Sequence, residues 1–390
     1  MSSYISSNAN RWYVGLEQSY GRIPAITSGN RIPAVKLTAR QQVDRAERRD
    51  KTGSRTFPGL PSGLRKRTSF ELKTYLTAWG SQSGEPGYGP LFRASLGGGP
   101  LFFNGGAAGT GSTATTLKFA TAHGLAAGQA VTSGGELRFA AAIVDATTVV
   151  LNAPLSAAPP PGAPIGPTMC YQPALELPSV SILDYWTPGS AVQRILCGAA
   201  VDTLRIRVNA DFHEFEFSGA ARDLIDSSSF TSGQGELVSF PAEPALGDFD
   251  YSVIPGHLGQ VWLGSVPERF YTLTSAELEV ENQIDLRNRE FGSEHPRSFT
   301  AGMRVVTLDL GMYEQDDAAT QALYQAARQR SPVSVMFQLG QTEGQLFGVY
   351  LKSFAPEVPE FDDTEARLEW RFASCRAQGT LDDEIYVAFG

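Results

Sequence analysis

Four histidines (His123, His213, His257, His295) and three cysteines (Cys170, Cys197, Cys375) are the side chains best able to ligate a metal or attack a substrate. None of the histidines stands in a metal-ligand spacing. The cysteines are too few and scattered for a disulfide framework or a zinc site and read as buried thiols. His213 precedes Glu214 but lacks the second histidine of a zinc-protease helix, so it reads as a structural residue beside a turn. Asp316–Asp317, Asp362–Asp363 and the run Asp382–Asp383–Glu384 could hold a hard cation, yet no calcium-loop pattern frames them. Helix capping or solvated loop charge accounts for them. Gly106–Thr113, GAAGTGST, has the glycine spacing of a phosphate loop, but Ser112 stands where that motif needs lysine. No nucleophile elbow occurs. A glycosidase-type pair of carboxylates, built from residues distant in sequence, stays open. The reading is a protein without catalytic residues, cofactor or metal.

The informative charges belong to a β-hairpin, Thr203 to Gly219. Leu204, Ile206 and Val208 alternate with Arg205 and Arg207; beyond Asn209–Asp211, Phe215 and Phe217 alternate with Glu214 and Glu216. Successive strand side chains point to opposite faces. A turn that sets Val208 opposite His213 places Ile206 against Phe215, Leu204 against Phe217, Arg207 against Glu214 and Arg205 against Glu216. Opposite-charge pairs contribute roughly 0.2–1 kcal/mol each, and burying a Phe, Ile or Leu roughly 1.5–3 kcal/mol. The apolar face therefore sets the register, and the charged face is left for water, a partner or a channel.

Short alternating segments and turn residues (40 Gly and 24 Pro in 390) favour a mainly β class. Net charge is −9, which argues against a general nucleic-acid binder. It is unevenly spread: Arg40–Arg67 carries +6 and the remainder −15, a split that suits self-association between unlike surfaces. The chain opens without a secretory pattern and has no apolar run long enough to span a bilayer, so a protein made and soluble in a cytoplasm is expected.

Along the chain, Ile32–Leu37 reads as a short strand and Gln41–Gly63 as a long basic loop, with a helical turn near Gln41–Arg49. Thr68–Leu76 is a strand with Phe70, Leu72 and Leu76 on one face and Glu71, Lys73 and Tyr75 on the other. Pro90–Leu96 is a short helical or looped packing element. From Gly97 to Pro167 the chain turns rich in Gly, Ala, Thr and Pro, with strands at Leu117–Phe119, Leu137–Val144 and Thr147–Leu151: an inserted small β domain. Further strands are expected at Val180–Trp186, Val192–Val201 (with a bulge or bend at Gly198), Gln260–Trp262, Phe270–Val280, Arg304–Leu310, Val333–Leu339, Leu346–Phe354, Ala366–Ser374 and Glu384–Phe389, half-buried where they alternate. One helix packs on the sheet, capped by Asp316 or Asp317, with an apolar stripe of Ala319, Ala322, Leu323, Ala326 and Ala327, stopped at Ser331–Pro332.

The order of these segments resembles that of bacteriophage tail tube proteins. RTSFELKTYL, GYGPLFRASLGG, VQRILCGAAVDTLRIRVNADFHEFEFSGAARDL, FYTLTSAELEVENQIDLRNREFG, MRVVTLDLGMYEQDDAATQALYQAARQRSPVSVMFQLG and LEWRFASCRAQGTLDDEIYVAFG carry the resemblance. It implies a tail-tube-type β-sandwich or barrel with one flanking α-helix, built from residues 1–96 and 168–390, with residues 97–167 as the inserted domain on the outside of a tube. It also implies hexameric rings stacked around a lumen for double-stranded DNA. The implied partners are further copies of the chain, a tape measure protein, a tail terminator and baseplate proteins, in the virion tail after assembly in the host cytoplasm.

On that footing Glu71, Lys73, Arg205, Arg207, Glu214 and Glu216 are expected to face the lumen. The basic loop, about residues 40–67 with Arg45, Arg48, Arg49, Lys51 and Arg55, is expected to dock between rings on acidic segments such as Glu357–Glu365 or Asp382–Glu384. Deleting the insert is expected to leave polymerisation intact. Two other readings stand beside this one: a baseplate hub or distal tail ring protein, and a carbohydrate-binding or carbohydrate-active β-sandwich if Trp79, Trp186, Trp262 or Trp370 is exposed in a groove.

Overall fold

The computed structural model describes residues 4–43, 51, 53–56, 59, 65–80, 82–247, 249 and 252–390. The hairpin has the register that its alternation demands: Leu204 opposes Phe217, Arg205 Glu216, Ile206 Phe215 and Arg207 Glu214. Leu204, Ile206, Phe215 and Phe217 are fully buried, and Asn209 makes the turn with φ +63°. Strand Lys66–Tyr75 pairs with Glu214–Ala221 on one flank and is itself paired by Ala34–Val43. On the other flank Leu273–Glu281, Val305–Tyr313 and Glu369–Ala377 follow in antiparallel order. These strands make a first leaf with one apolar and one polar face.

A second leaf contains Glu268–Phe270, Gly259–Gly264, Val333–Leu339, Phe347–Ala355, Tyr386–Phe389, Thr168–Tyr171 and Leu101–Phe103. The leaves join where Phe354 and Ala355 pair with Ala377 and Arg376. A single sheet, nineteen strands among the described residues, thus curls over on itself. Between the leaves sits α1, Gly89–Leu96, with every residue but Arg93 buried. The Phe92 ring lies 5.3–5.7 Å from those of Tyr171, Phe215, Phe217, Phe347 and Phe389. The segment expected to be helical or looped is therefore a helix at the centre of the core.

The flanking helix α2 spans Ala318–Gln329, and Asp317 caps it by accepting from the Thr320 amide at 2.8 Å. Its buried residues are Thr320, Leu323 and Ala327, whereas Ala322, expected in the stripe, is exposed. Leu323 has the largest side chain to bury and sets the helix phase.

Segments expected as separate strands at Val192–Val201 and in the hairpin are one strand, Arg194–Val208. Its second half lies in the first leaf; its first half pairs with Val180–Trp186 and Asp223–Asp226. Gly198 supplies the expected bulge: Val180 opposes Ala199 and Ile182 opposes Leu196. Its φ is +60°, and a Cβ there would lie 2.6 Å from the Arg222 Cβ, so only glycine fits.

Four strands of the Gly- and Ala-rich stretch, Thr116–Lys118, Ala130–Ser133, Glu136–Asp145 and Thr148–Leu151, form a separate sheet. Leu117, Phe119, Val131, Ala140 and Val149 are in a cluster of their own. A second set of its residues, Ala130, Leu137 and Phe139, packs instead on Met336, Leu346, Tyr350 and Ala388 of the second leaf. Strand Val333–Leu339 is for this reason buried on both faces rather than half-buried. Gln338 is 0% exposed and accepts from the Leu137 amide and from Arg138.

Candidate assembly faces

Position 205 shows how the polar face of the first leaf is built. Arg205 leaves its strand between Leu204 and Ile206, which the core holds. Its guanidinium reaches Glu279 at 3.0 Å, Glu216 at 3.5 Å and Glu277 at 3.7 Å. Two residues on, Arg207 meets Glu277 at 3.0 Å, with Glu214 and Glu216 at 3.9 Å. Lys73 completes the row with Glu216 at 3.0 Å and Glu71 at 3.5 Å. The hydrogen bond that Arg205 donates to Glu279 raises the arginine's pKa, and the one that Lys73 donates to Glu216 raises that of Lys73. Three cations are thus shared among five carboxylates, with Glu216 central and the others about one-third exposed.

All six residues picked out from the sequence as a charged face are in this network: Glu71, Lys73, Arg205, Arg207, Glu214 and Glu216. Glu277 and Glu279 were not picked out, although their strand alternates Ala276, Leu278 and Val280 with Glu277, Glu279 and Glu281. Exposed pairs of this kind contribute little to stability, roughly 0–1 kcal/mol each. What the network does is pair Lys73, Arg205 and Arg207 with carboxylates.

On the opposite side of the molecule the insert covers the second leaf, fastened by Arg138. This guanidinium is wholly buried and donates to Glu136 at 2.8 Å, Gln338 at 2.9 Å, Gln260 at 3.0 Å and the Pro154 carbonyl at 2.9 Å, lying 5.1 Å above the Trp262 ring. Burial lowers its pKa to about 10, so it stays charged at neutral pH.

The strands flanking the basic loop reach further into it than the expected bounds of about 40–67: Gln41–Val43 are strand, the rest of the expected helical turn lies outside the described residues, and the return strand begins at Lys66, two residues before the expected Thr68. Arg45, Arg48 and Arg49 lie outside the described residues; Lys51 and Arg55 are exposed. Of the acidic segments considered as its docking partners, Asp382 and Glu384 are bound by Arg304 and Asp383 by Lys352 within the chain.

Trp79 and Trp370 are buried, Trp262 lies under Arg138 and Trp186 is half-buried in a sheet, so none offers an open stacking platform. His213 is buried, its Nε2 on the Leu258 carbonyl at 3.1 Å. Among the described residues no three of His, Cys, Asp and Glu gather as a metal site, and no helix is long and apolar enough to cross a membrane.

Residues 96–372 match the phage tail tube protein family. The chain belongs to that family. The matched span includes the insert, α2 and all of the charged network except Glu71 and Lys73. No curated protein matches. Among solved structures, the SPP1 tail tube determined by solid-state NMR and cryo-EM is similar over 33% of this chain and 81% of that one, with 13% identity and a TM-score of 0.27. A tail tube protein is a structural part of the virion, and this one is not an enzyme.

Proposed function

We propose that the chain is a major tail tube subunit that forms hexameric rings, stacked into a tube whose lumen passes double-stranded DNA. One observation carries this reading: the two outer faces of the curled sheet are unlike and opposed. The face with Arg205 and Arg207 is centred on a grid of three cations and five carboxylates; the other lies beneath the insert. With the grid towards the lumen, the insert falls on the outside.

A protein gains affinity for DNA when free lysines and arginines neutralise phosphates and release their condensed counterions into solution. Here the central cations are already held by carboxylates, so DNA slides past. Among the described residues the first leaf has open edges at Ala34–Val43 and at Glu360–Asp362, each paired on one side only. Joining one copy's first edge to the next copy's second edge is a heterologous contact of the kind that closes a ring, and it removes both edges from solvent. Tape measure, terminator and baseplate proteins are the further partners of this reading, and the virion tail its location.

Negative-stain electron microscopy of the purified protein, across concentration and salt, tests the proposal. Stacked rings with a central hole wide enough for duplex DNA are expected. A single ring that never stacks would favour a terminal ring protein, and a monomer under all conditions, with or without an assembly initiator, would overturn the reading. Deleting the insert is a poor test of its position, because Met336 and Tyr350 would be bared. Val144→Lys, on an exposed stretch of the insert, should instead leave tube growth unchanged.

A further inference from the structure

The two ends of the first leaf carry unlike surfaces. Where strand Val305–Tyr313 begins, Arg304 binds Glu384 and Asp382, each at 2.6 Å, and donates to the Ala174 carbonyl at 3.2 Å. One largely buried arginine thereby gathers three chain segments that are distant in sequence. Exposed apolar side chains stand next to Arg304 itself and to two of its partners: Met303 (66% exposed) beside Arg304, Leu175 (86%) beside Ala174 and Leu381 (81%) beside Asp382. A groove of about 600 Å³ opens at Leu175, lined also by Leu177, Tyr20 and Phe299 among others. A lone exposed leucine calls for no explanation; three around one spent charge form an apolar patch with a polar anchor, the anatomy of an interface.

At the other end, where strand Leu273–Glu281 begins, lies a cavity of about 240 Å³. Val208, Phe270, Leu273 and Tyr271 line it, with Arg269 and His257 as its cationic or titratable rim. Tyr271 is 78% exposed. Strand Leu273–Glu281 joins the two ends over nine residues, about 27 Å at roughly 3.4 Å per step.

We infer that the Leu175–Met303–Leu381 patch of one copy seats on the Tyr271 end of the next, and that this is the contact by which copies stack along the tube axis. The inference rests on the tube reading and assigns its axial contact. Patch and cavity are different surfaces at opposite ends of the same strands, so their contact is head-to-tail and repeats without closing. Ring closure is left to the sheet edges. Charge agrees with the pairing: the patch end has three carboxylates, Asp382, Asp383 and Glu384, against the two cations Arg304 and Lys352, and Arg269 lines the cavity.

The test pairs Leu381→Cys with Tyr271→Cys in the full chain and treats assembled tubes with a short bismaleimide. The native cysteines are buried, and burial pushes their thiols up to about 11 or 12, so they stay silent. A ladder of covalent oligomers is expected from the double variant and none from either single variant. Tubes that form but give no ladder, or single variants that give dimers, overturn the inference. In parallel, Leu175→Glu with Leu381→Glu should abolish tube growth while the monomer's melting temperature and circular dichroism stay unchanged; tubes at wild-type yield also overturn it. If the unaltered protein never forms tubes, the tube reading itself has failed, an outcome distinct from tubes that lack this contact.

Discussion

At the scale of single residues, His213 shows how burial turns an unremarkable side chain into a pH-sensitive one. It is 1% exposed, and the Leu258 carbonyl can only accept, so Nε2 carries the proton and Nδ1 is left without a hydrogen-bond partner. Burial is the main cause that lowers its pKa, the Leu258 hydrogen bond opposes it, and His257 adds a smaller lowering effect. The sign follows from linkage: the unfolded histidine, near its usual pKa of about 6.5, takes up a proton before the folded one does. Stability from this group is complete above that pH and is lost as pH falls from there through the lowered folded value. Chemical denaturation between pH 7.5 and 5 should show this loss, and His213→Gln, which keeps a donor for Leu258, should flatten the profile. An identical pH slope in the variant would show that other groups carry it. The sequence identified His213 as structural from its place beside a turn. It could not reveal the unpartnered nitrogen, which depends on residues 45 and more positions away.

Among the elements, legibility divided according to whether the pattern was local. The hairpin register could be read because charge and apolar alternation agree at Leu204–Arg207 and Glu214–Phe217, and α2 because Asp317 and Pro332 bracket it. The continuity of Arg194–Val208 could not, since Asp202 separates the apolar run that ends at Val201 from the alternation that starts at Leu204, and the register shift between Val201 and Thr203 that carries the strand past it has no local signal. The insert was legible as a compositional shift, but its docking was not: nothing local to Arg138 or Gln338 marks them as partners, and both are buried where the two sheets meet. Arg138→Ala should therefore loosen the insert specifically. Removing one partner of a buried ion pair costs about 3–5 kcal/mol, here by stranding Glu136 and Gln338. Hydrogen exchange should rise in Ala130–Ser133 and Glu136–Asp145 while the Phe92-centred core keeps its protection. Unchanged exchange in those two strands would mean that Leu137 and Phe139 alone hold the insert.

For the whole molecule, what matters is that the five carboxylates of the network outnumber its three cations. If the grid lines a lumen, its task is negative: to keep the arginines of that face paired so that they are not offered to phosphates. Glu277 and Glu279 hold Arg205 and Arg207 from the side of the hairpin opposite Glu214 and Glu216. Their replacement by glutamine, Glu277→Gln with Glu279→Gln, keeps shape and hydrogen bonding but turns five carboxylates against three cations into three against three. Folding should change by at most about 1 kcal/mol per pair lost, and tubes should still grow. Retention of duplex DNA should change: wild-type tubes should release it at all salt concentrations, whereas variant tubes should hold it at low salt and lose it steeply as salt rises, as counterion release requires. Reversing the sign with Arg205→Gln and Arg207→Gln should give tubes that exclude DNA at least as well as wild type. Equal, salt-independent behaviour of all three tubes would place the grid on a surface that DNA never meets, and the insert would then be on the lumen side of the sheet.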